Sequence, residues 1–483
     1  FPSIPKKIFI TTFAPKRKYY TMAGQKVAVP KGMRDFSPLE VRKRKYLLNI
    51  IEAAFRRFGY EALETPAMEN LSTLTGKYGD EGDKLLFRVL NSGDYLKGVE
   101  LDKIGEMRPE VLAKQLCDRG MRYDLTVPFA RYVANNWGEL PHPFKRYQIQ
   151  PVWRADRPQK GRYREFLQCD VDVVGTESLL CEVELIRIVE QVFGELGLKV
   201  TLLLNNRKIL AGLAEVLGHP DKLVPMTVAI DKLAKTSAEA VREELRAAGF
   251  EEDKIGELLA LLTTEPDNAQ TLGALDGMLA GNPQGEKGLE ELRWILRYAE
   301  YSEVEMPVRV SPSLARGLSY YTGAIFEVVV DSEEFNVSVC GGGRFDNLTG
   351  IFGLAGVTGV GISFGADRIY DALELLKLFP GDLDSSLDFL ILNLCEAAYP
   401  LCVRMATLAH AQDYSCMIYP EVTKMRKQLE YADKRRALFA IIVGDRELEA
   451  QEVVVRNMMD GNQRAVPLDR VAEEIFGITP GLE

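Results

Sequence analysis

The sequence predicts an α+β protein in three parts: a sheet-bearing domain, a helical insertion within it, and a separate C-terminal α/β domain. Three features lead there. Residues 144 to 154 and 165 to 174 alternate polar and apolar around a basic loop, the pattern of two paired strands. Residues 206 to about 300 are Leu/Ala/Glu/Lys segments broken by GHP, TTEPDN and GNPQG, which predicts a block of helices. After PGDLDSS the rhythm becomes strand–helix–strand over about 95 residues, a normal domain size. A chain of 483 residues is also too long for one ordinary core.

The elements follow in order. The first 34 residues hold eight cations and no acid. Lys outnumbers Arg and amphipathicity is weak, so residues 1–28 are expected to be a disordered basic extension ahead of a start near Met22, with a transit segment as the alternative. From Pro38 to Phe58, Leu39, Tyr46, Leu47, Ile50, Ile51, Ala54 and Phe58 recur at helical spacing, and Gly59 stops the helix. YEALETP is extended into Pro66. Residues 84–90 and 122–127 are expected as strands, with a helix opening at Pro128. Beyond the hairpin comes a helix over Ser178–Leu196. Strands at 324–330 and 335–340 precede a Gly-rich strand and a helix to about 378. Domain limits are set at 29–205 with 306–380, at 206–305 for the insertion, and at 386–483 for the terminal domain. The last of these runs FLILNL, helix 399–412, CMIY, helix 422–433, FAIIVG, a hairpin in VVVRNMMDGNQRAVPL and a final helix.

Composition narrows the function. With 46% apolar and 27% charged residues and no run of 18 apolar positions, a cytoplasmic location and no membrane contact are expected. A net charge of −10 argues against coating nucleic acid but leaves room for a local basic site. The seven cysteines form no CxxC pair and the three histidines no HExxH, so no metal site is expected. Chemistry is left to arginines, carboxylates and tyrosines.

Four constellations carry that chemistry. In VWRADRPQKGRYREFLQCDVDVVG (152–175), Arg154, Arg157, Lys160, Arg162 and Arg164 crowd into eleven positions against Asp156 alone. On the strand that follows, Leu167, Cys169, Val171 and Val173 face the core, and Phe166, Gln168, Asp170 and Asp172 face the other way. Gln168 and Asp172, about 13 Å apart, suit opposite ends of a small polar ligand. Phe166 offers a flat surface to a base, and Arg154 a planar fork to a phosphate. The plain alternative is a solvated hairpin tip. In RYDLTVPFARY (122–132), Asp124 and Thr126 fall on one strand face and suit an ammonium group, unless Asp124 is merely salt-bridged. In LARGLSYYTG (314–323), Arg316 is a second cation for an oxyanion, and Tyr320 and Tyr321 give aromatic walls with hydroxyl tips. The glycines of CGGGRFDNLTG (340–350) fit either close backbone approach to a ligand or a flexible loop. In GVGISFGADRI (359–369), Arg368 stands in a helix's first turn, where a cation is disfavoured unless an anion joins it.

Arginines beside glycine-rich backbone, an aromatic platform and an ammonium pocket point to activation of an amino acid by ATP. Carboxylate attack on the α-phosphate gathers negative charge that fixed cations stabilise, and no general base is needed. At these residues the sequence resembles the histidyl-tRNA synthetases, a family of class II aminoacyl-tRNA synthetases, from about Val29 to the C-terminus. WRADRPQKGRYREF resembles motif 2, GVGISFGADRI motif 3, and the 38–58 helix with YEALETP motif 1 at a dimer interface. ARGLSYYTG and GGGRFDNL resemble the two histidine-specific signatures. Ser319, Phe345 and the RYD triplet depart from the family's usual Asp, Tyr and RPE.

The resemblance implies a class II catalytic domain with an antiparallel sheet and a C-terminal α/β anticodon-binding domain. It implies that Asp124, Thr126 and Gln168 hold the α-amino group while Asp172 and Tyr321, beside Tyr320, read the imidazole. It places Arg154 and Arg316 on the α-phosphate and carboxylate, and Arg162 and Arg368 at the γ-phosphate. Phe166 stacks adenine, Asp156 positions the nucleotide, and Arg157 and Gln159 meet the tRNA end. Substrates would be L-histidine, ATP with Mg²⁺ and tRNA(His), acted on by a homodimer. A catalytically silent regulatory paralogue of ATP phosphoribosyltransferase resembles the same catalytic domain. It would lack the terminal domain and tend to lose the arginines.

Overall fold

The computed structural model describes residues 28–76, 79–99, 101–159, 161–233, 236–263, 267–315, 320–335, 337–346 and 348–478. The expected basic extension, apart from its last residue, lies outside them.

Helix α1 spans Pro38–Arg57, close to the range expected. Ser37 and Glu40 cap it reciprocally, Pro38 fits the first turn, and Gly59 leaves it at φ +78°. Leu47, Ile51, Ala54 and Phe55 are its buried face.

The main sheet has eight strands: β1 (Glu61–Ala62), β2 (Phe144–Trp153), β3 (Glu165–Val174), β4 (Val200–Asn206), β5 (Val308–Val310), β6 (Ala324–Val330), β7 (Ser338–Asp346) and β8 (Thr358–Gly365). Their spatial order is β1-β2-β3-β8-β7-β6-β4-β5. Every central pair is antiparallel; only the outer pairs β1–β2 and β4–β5 are parallel. The hairpin β2–β3 sets Arg146 opposite Asp172 and Gln150 opposite Gln168. Cys169, Val171 and Val173 point into a large apolar core with α1, as the alternation demands. Helix α3 (Leu180–Glu195) and helix α4 (Ala366–Leu375) cover the same face of the sheet. The insertion is helical, with six α-helices of 8 to 19 residues among the described residues between Arg207 and Tyr301. Its apolar residues, such as Leu213, Leu258 and Leu292, belong to the same cluster as the sheet core.

Two local expectations are corrected. Residues 84–90 are not one strand: only Arg88–Val89 pairs, because Leu85 and Leu86 together fill the space near Leu74 and Tyr123 instead of alternating. Residues 122–127 are not a strand either. The strand stops at Met121, and helix α2 (Thr126–Asn136) begins before Pro128. The Asp124 carboxylate accepts from Val127 N at 3.1 Å, satisfying a first-turn N–H that has no partner within the helix. Of the two readings left open for the 340–350 glycines, the flexible loop does not hold for Gly341–Gly343, which are central in β7 and laddered to β6 and β8 on both sides.

The C-terminal unit has a five-stranded sheet in the order 416–418, 387–393, 437–443, 452–457, 463–467. The first three strands are parallel, as strand–helix–strand connections require, and the last is added by a hairpin. Its two apolar clusters are drawn entirely from residues 387–478.

Candidate active site

The face of β3, β7 and β8 that carries Gln168, Asp170 and Asp172 bears two abutting recesses. One, of about 340 Å³, is lined by Arg154, Asp156, Arg162, Phe166 and Arg368 among others. The second, of about 180 Å³, is lined by Asp124, Thr126, Asp170, Asp172, Tyr320 and Tyr321. Arg154, Gln168, Gly341 and Ser363 line both, so they form the shared wall.

In the first recess β2 ends at Trp153 and delivers Arg154. Its guanidinium lies 4.3 Å from the Tyr123 ring centroid and 5.1 Å from that of Phe166, and Nε donates to Tyr123 O at 3.1 Å. The loop to β3 is ordered by its own bonds: Arg162 pairs with Asp156 at 2.8 Å, and Arg164 Nε donates to Asp156 O at 2.9 Å. Arg368 donates to Gly161 O at 3.2 Å and Ser338 O at 2.9 Å. The acid in the first turn of α4 is Asp367, and Arg368 lines the cavity beside the N-cap residue Gly365.

In the second recess β3 aligns Gln168, Asp170 and Asp172 on one face. Asp172 faces Arg146 of β2, with Nη2 2.9 Å from Oδ2, and Arg146 is wholly buried over the Phe129 ring at 4.1 Å. A Cβ at Gly361 would lie 2.0 Å from Asp172 Oδ1, so only glycine at that position leaves the carboxylate its place. Gln168 donates to Ser363 Oγ at 2.9 Å. Tyr320 bonds to Thr126 and stands 4.8 Å from Tyr321, ring to ring. Burial lifts Asp170 to about 7 and Asp172 to about 6, against the pull of Arg146. Burial likewise raises the Tyr320 hydroxyl, which stays protonated. Three carboxylates, Asp124, Asp170 and Asp172, outnumber the two guanidiniums of Arg146 and Arg154, so the recess favours a cationic guest.

Curated relatives match nearly the whole chain. Histidine–tRNA ligase of Phocaeicola vulgatus is 48% identical over 446 residues, covering 92% of this chain and 98% of its own. That of Porphyromonas gingivalis is 49% identical over 445 residues, with the same two coverages. A family model described as histidyl-tRNA synthetase matches residues 117–369, and one described as anticodon binding domain matches 388–476.

This chain belongs to the histidyl-tRNA synthetase family.

The fold agrees. The crystal structure of histidyl-tRNA synthetase from Nostoc sp. PCC 7120 superposes with a TM-score of 0.77 at 26% identity, covering 93% of this chain and 99% of that one. A Bacillus halodurans protein titled ATP phosphoribosyltransferase regulatory subunit/histidyl-tRNA synthetase shares the fold at 19% identity and a TM-score of 0.68.

Against this family background, the structure brings most of the sequence-selected residues together. Arg154, Asp156, Arg162, Phe166 and Arg368 meet in the cationic recess, and Asp124, Thr126, Gln168, Asp172, Tyr320 and Tyr321 in the acidic one. Asp124 and Thr126 arrive there from a helix start and not from one strand face. Arg157 and Gln159 are exposed on the loop and line neither recess. Arg316 lies outside the described residues. The sequence reading gave no role to Asp170, Ser363 or Arg146. Asp170 was visible by period two between Gln168 and Asp172, whereas Arg146 and Ser363 needed the strand register.

Proposed function

We propose that this chain is a histidine–tRNA ligase: it joins L-histidine to ATP as histidyl-adenylate, releases pyrophosphate, and passes histidine to the 3′ end of tRNA(His). The carrying observation is the pair of recesses of opposite charge that meet at Arg154 and Gln168. The acidic recess takes the amino acid. Asp124, Thr126 and Gln168 receive the α-ammonium, while Asp172 and Tyr321, flanked by Tyr320, offer an acceptor and a hydroxyl to the two imidazole nitrogens. The cationic recess takes the nucleotide, with adenine on Phe166, Asp156 steadying the loop, and Arg162 and Arg368 at the terminal phosphate. Arg154 at the boundary, with Arg316, meets the charge that grows on the α-phosphate as the histidine carboxylate attacks. Catalysis is then orientation plus fixed positive charge, since the nucleophile enters already ionised.

Mg²⁺ would enter with ATP and screen charge on the leaving pyrophosphate. Among the described residues no cluster of three or more His, Cys, Asp or Glu is placed to hold a metal. Asp156 and Asp367 beside the cavity are already ion-paired. Phosphate oxygens and water suit such an ion's coordination better than a protein cage. Arg157 and Gln159, exposed on the loop, suit the tRNA end; the 387–478 unit suits the anticodon. A homodimer through α1 and the short edge strand β1 completes the reading, in the cytoplasm; no helix among the described residues is long and apolar enough to cross a membrane.

Histidine-dependent exchange of labelled pyrophosphate into ATP tests the proposal, run against each of the other amino acids. Exchange with histidine alone is expected. A protein that binds histidine without exchange would be the regulatory paralogue; that reading finds no support in relatives 46–49% identical named as ligases.

A further inference from the structure

The segment just ahead of α1 received no role from the sequence, yet it is tied to the nucleotide side of the cavity. Gly32 O accepts from Arg164 N at 2.8 Å. Gly32 has φ +89°, and a Cβ there would stand 2.8 Å from Arg164 Cγ and 2.9 Å from Pro158 Cγ, so glycine is demanded twice. Two residues on, the Arg34 guanidinium lies 3.5 Å from the centre of the Tyr163 ring, within cation–π range. The same group donates to Asp367 and stands 3.8 Å from Asp371 Oδ1, both on α4. Tyr163 OH donates to Asp371 Oδ2 at 2.9 Å. Burial and this bond push its pKa up to about 12, which keeps it a donor. Asp367 in turn accepts from Arg44 of α1 and, at 2.8 Å, from Leu167 N where β3 begins. Tyr163 and Asp367 both line the cationic recess.

We propose that Gly32–Arg34 is a strap that holds the 154–164 loop in its nucleotide-binding conformation, with Arg34 as its positioning residue. The inference rests on the reading of that recess as the ATP site. The loop carries several cations whose mutual repulsion opposes a compact arrangement. Arg34 supplies the cross-link, stacking on Tyr163 of the loop while pairing with the carboxylates of α4. Releasing it lowers the fraction of molecules with a competent loop, and apparent nucleotide affinity falls by that fraction. The acidic recess is built on β3, β7, β8, α2 and the Tyr320–Tyr321 segment and takes only Arg154 from the loop, so histidine binding changes far less than nucleotide binding.

The test is pyrophosphate exchange with the full-length chain, alongside thermal melting. Arg34→Ala should raise the KM for ATP on the order of tenfold, as expected when about a tenth of the loops remain competent, and change the KM for histidine less than about twofold. Arg34→Lys keeps a charge for Asp367 but loses the flat face. It should melt like the parent and keep most of the ATP defect. Tyr163→Leu should reproduce that defect, and combining it with Arg34→Lys should add little, because both cut one contact. An unchanged KM for ATP in Arg34→Lys and Tyr163→Leu, an equal rise in both KM values, or fully multiplying effects overturns the strap. The two milder variants decide the matter if Arg34→Ala does not fold. Loss of exchange by the parent protein would instead overturn the ligase reading.

Discussion

At the scale of single residues, Asp170 and Asp172 make the acidic recess sensitive to pH. Their carboxyls are lifted to about 7 and about 6 by burial, so the empty recess takes up protons in that range. An ammonium guest favours the ionised forms, so histidine binds in competition with protons. The KM for histidine should therefore rise as pH falls from about 7.5 to about 5.5, and Asp170→Asn should flatten the upper part of that rise. Free histidine titrates near pH 6.5 in both proteins, so the difference between their profiles reports Asp170. By linkage the empty fold loses stability as pH rises through the same window, since the native state holds more protons than the unfolded one. Asp172→Ala should damage histidine recognition specifically, and an unchanged KM for histidine would remove it from the pocket. The β3 face was legible because period two is strict. The partner Arg146 was not, because nothing local ties residue 146 to residue 172.

At the scale of elements, buried polar links decide how the strands are held. Arg344 of β7 donates from Nε and Nη2 to the two carboxylate oxygens of Glu182 on α3, at 2.6 and 2.7 Å. It also reaches Thr176 O and Ser178 O. Both side chains are nearly excluded from solvent, so Arg344→Ala strands a charge and should destabilise the fold by about 3–5 kcal/mol in chemical denaturation. The sequence placed Arg344 inside a histidine signature; its side chain in fact anchors β7 to α3. Ser37→Ala removes one half of the α1 capping box and should cost about 1 kcal/mol, read as a lowered melting temperature with exchange kinetics intact. Caps and hairpins could be read locally. The 122–127 segment was mistaken because Asp124 turns the chain into a helix by a side-chain bond that strand propensity does not register.

At the scale of the whole molecule, the C-terminal unit packs around clusters of its own, joined to the rest through the short 381–384 turn, where Arg42 donates to Leu383 O and Asp384 O. Deleting residues 386–483 should leave histidine-dependent exchange measurable while transfer to tRNA falls by at least about a hundredfold, as when a tethered second contact is lost. Equal loss of both activities would show that the unit serves the catalytic sheet as well. The helical insertion behaves otherwise in the fold, since its leucines complete the core beneath that sheet. Period-two and helical patterning, turn glycines and clustered arginines are properties of neighbouring residues, and these determined the element types, the hairpin and most candidate ligands from sequence alone. Which carboxylate meets Arg146, which glycine makes room for Asp172, and how Arg34 reaches Tyr163 depend on segments brought together from far along the chain. Burial and strand register create those contacts only when the sheet closes, and so only the tertiary structure decided them.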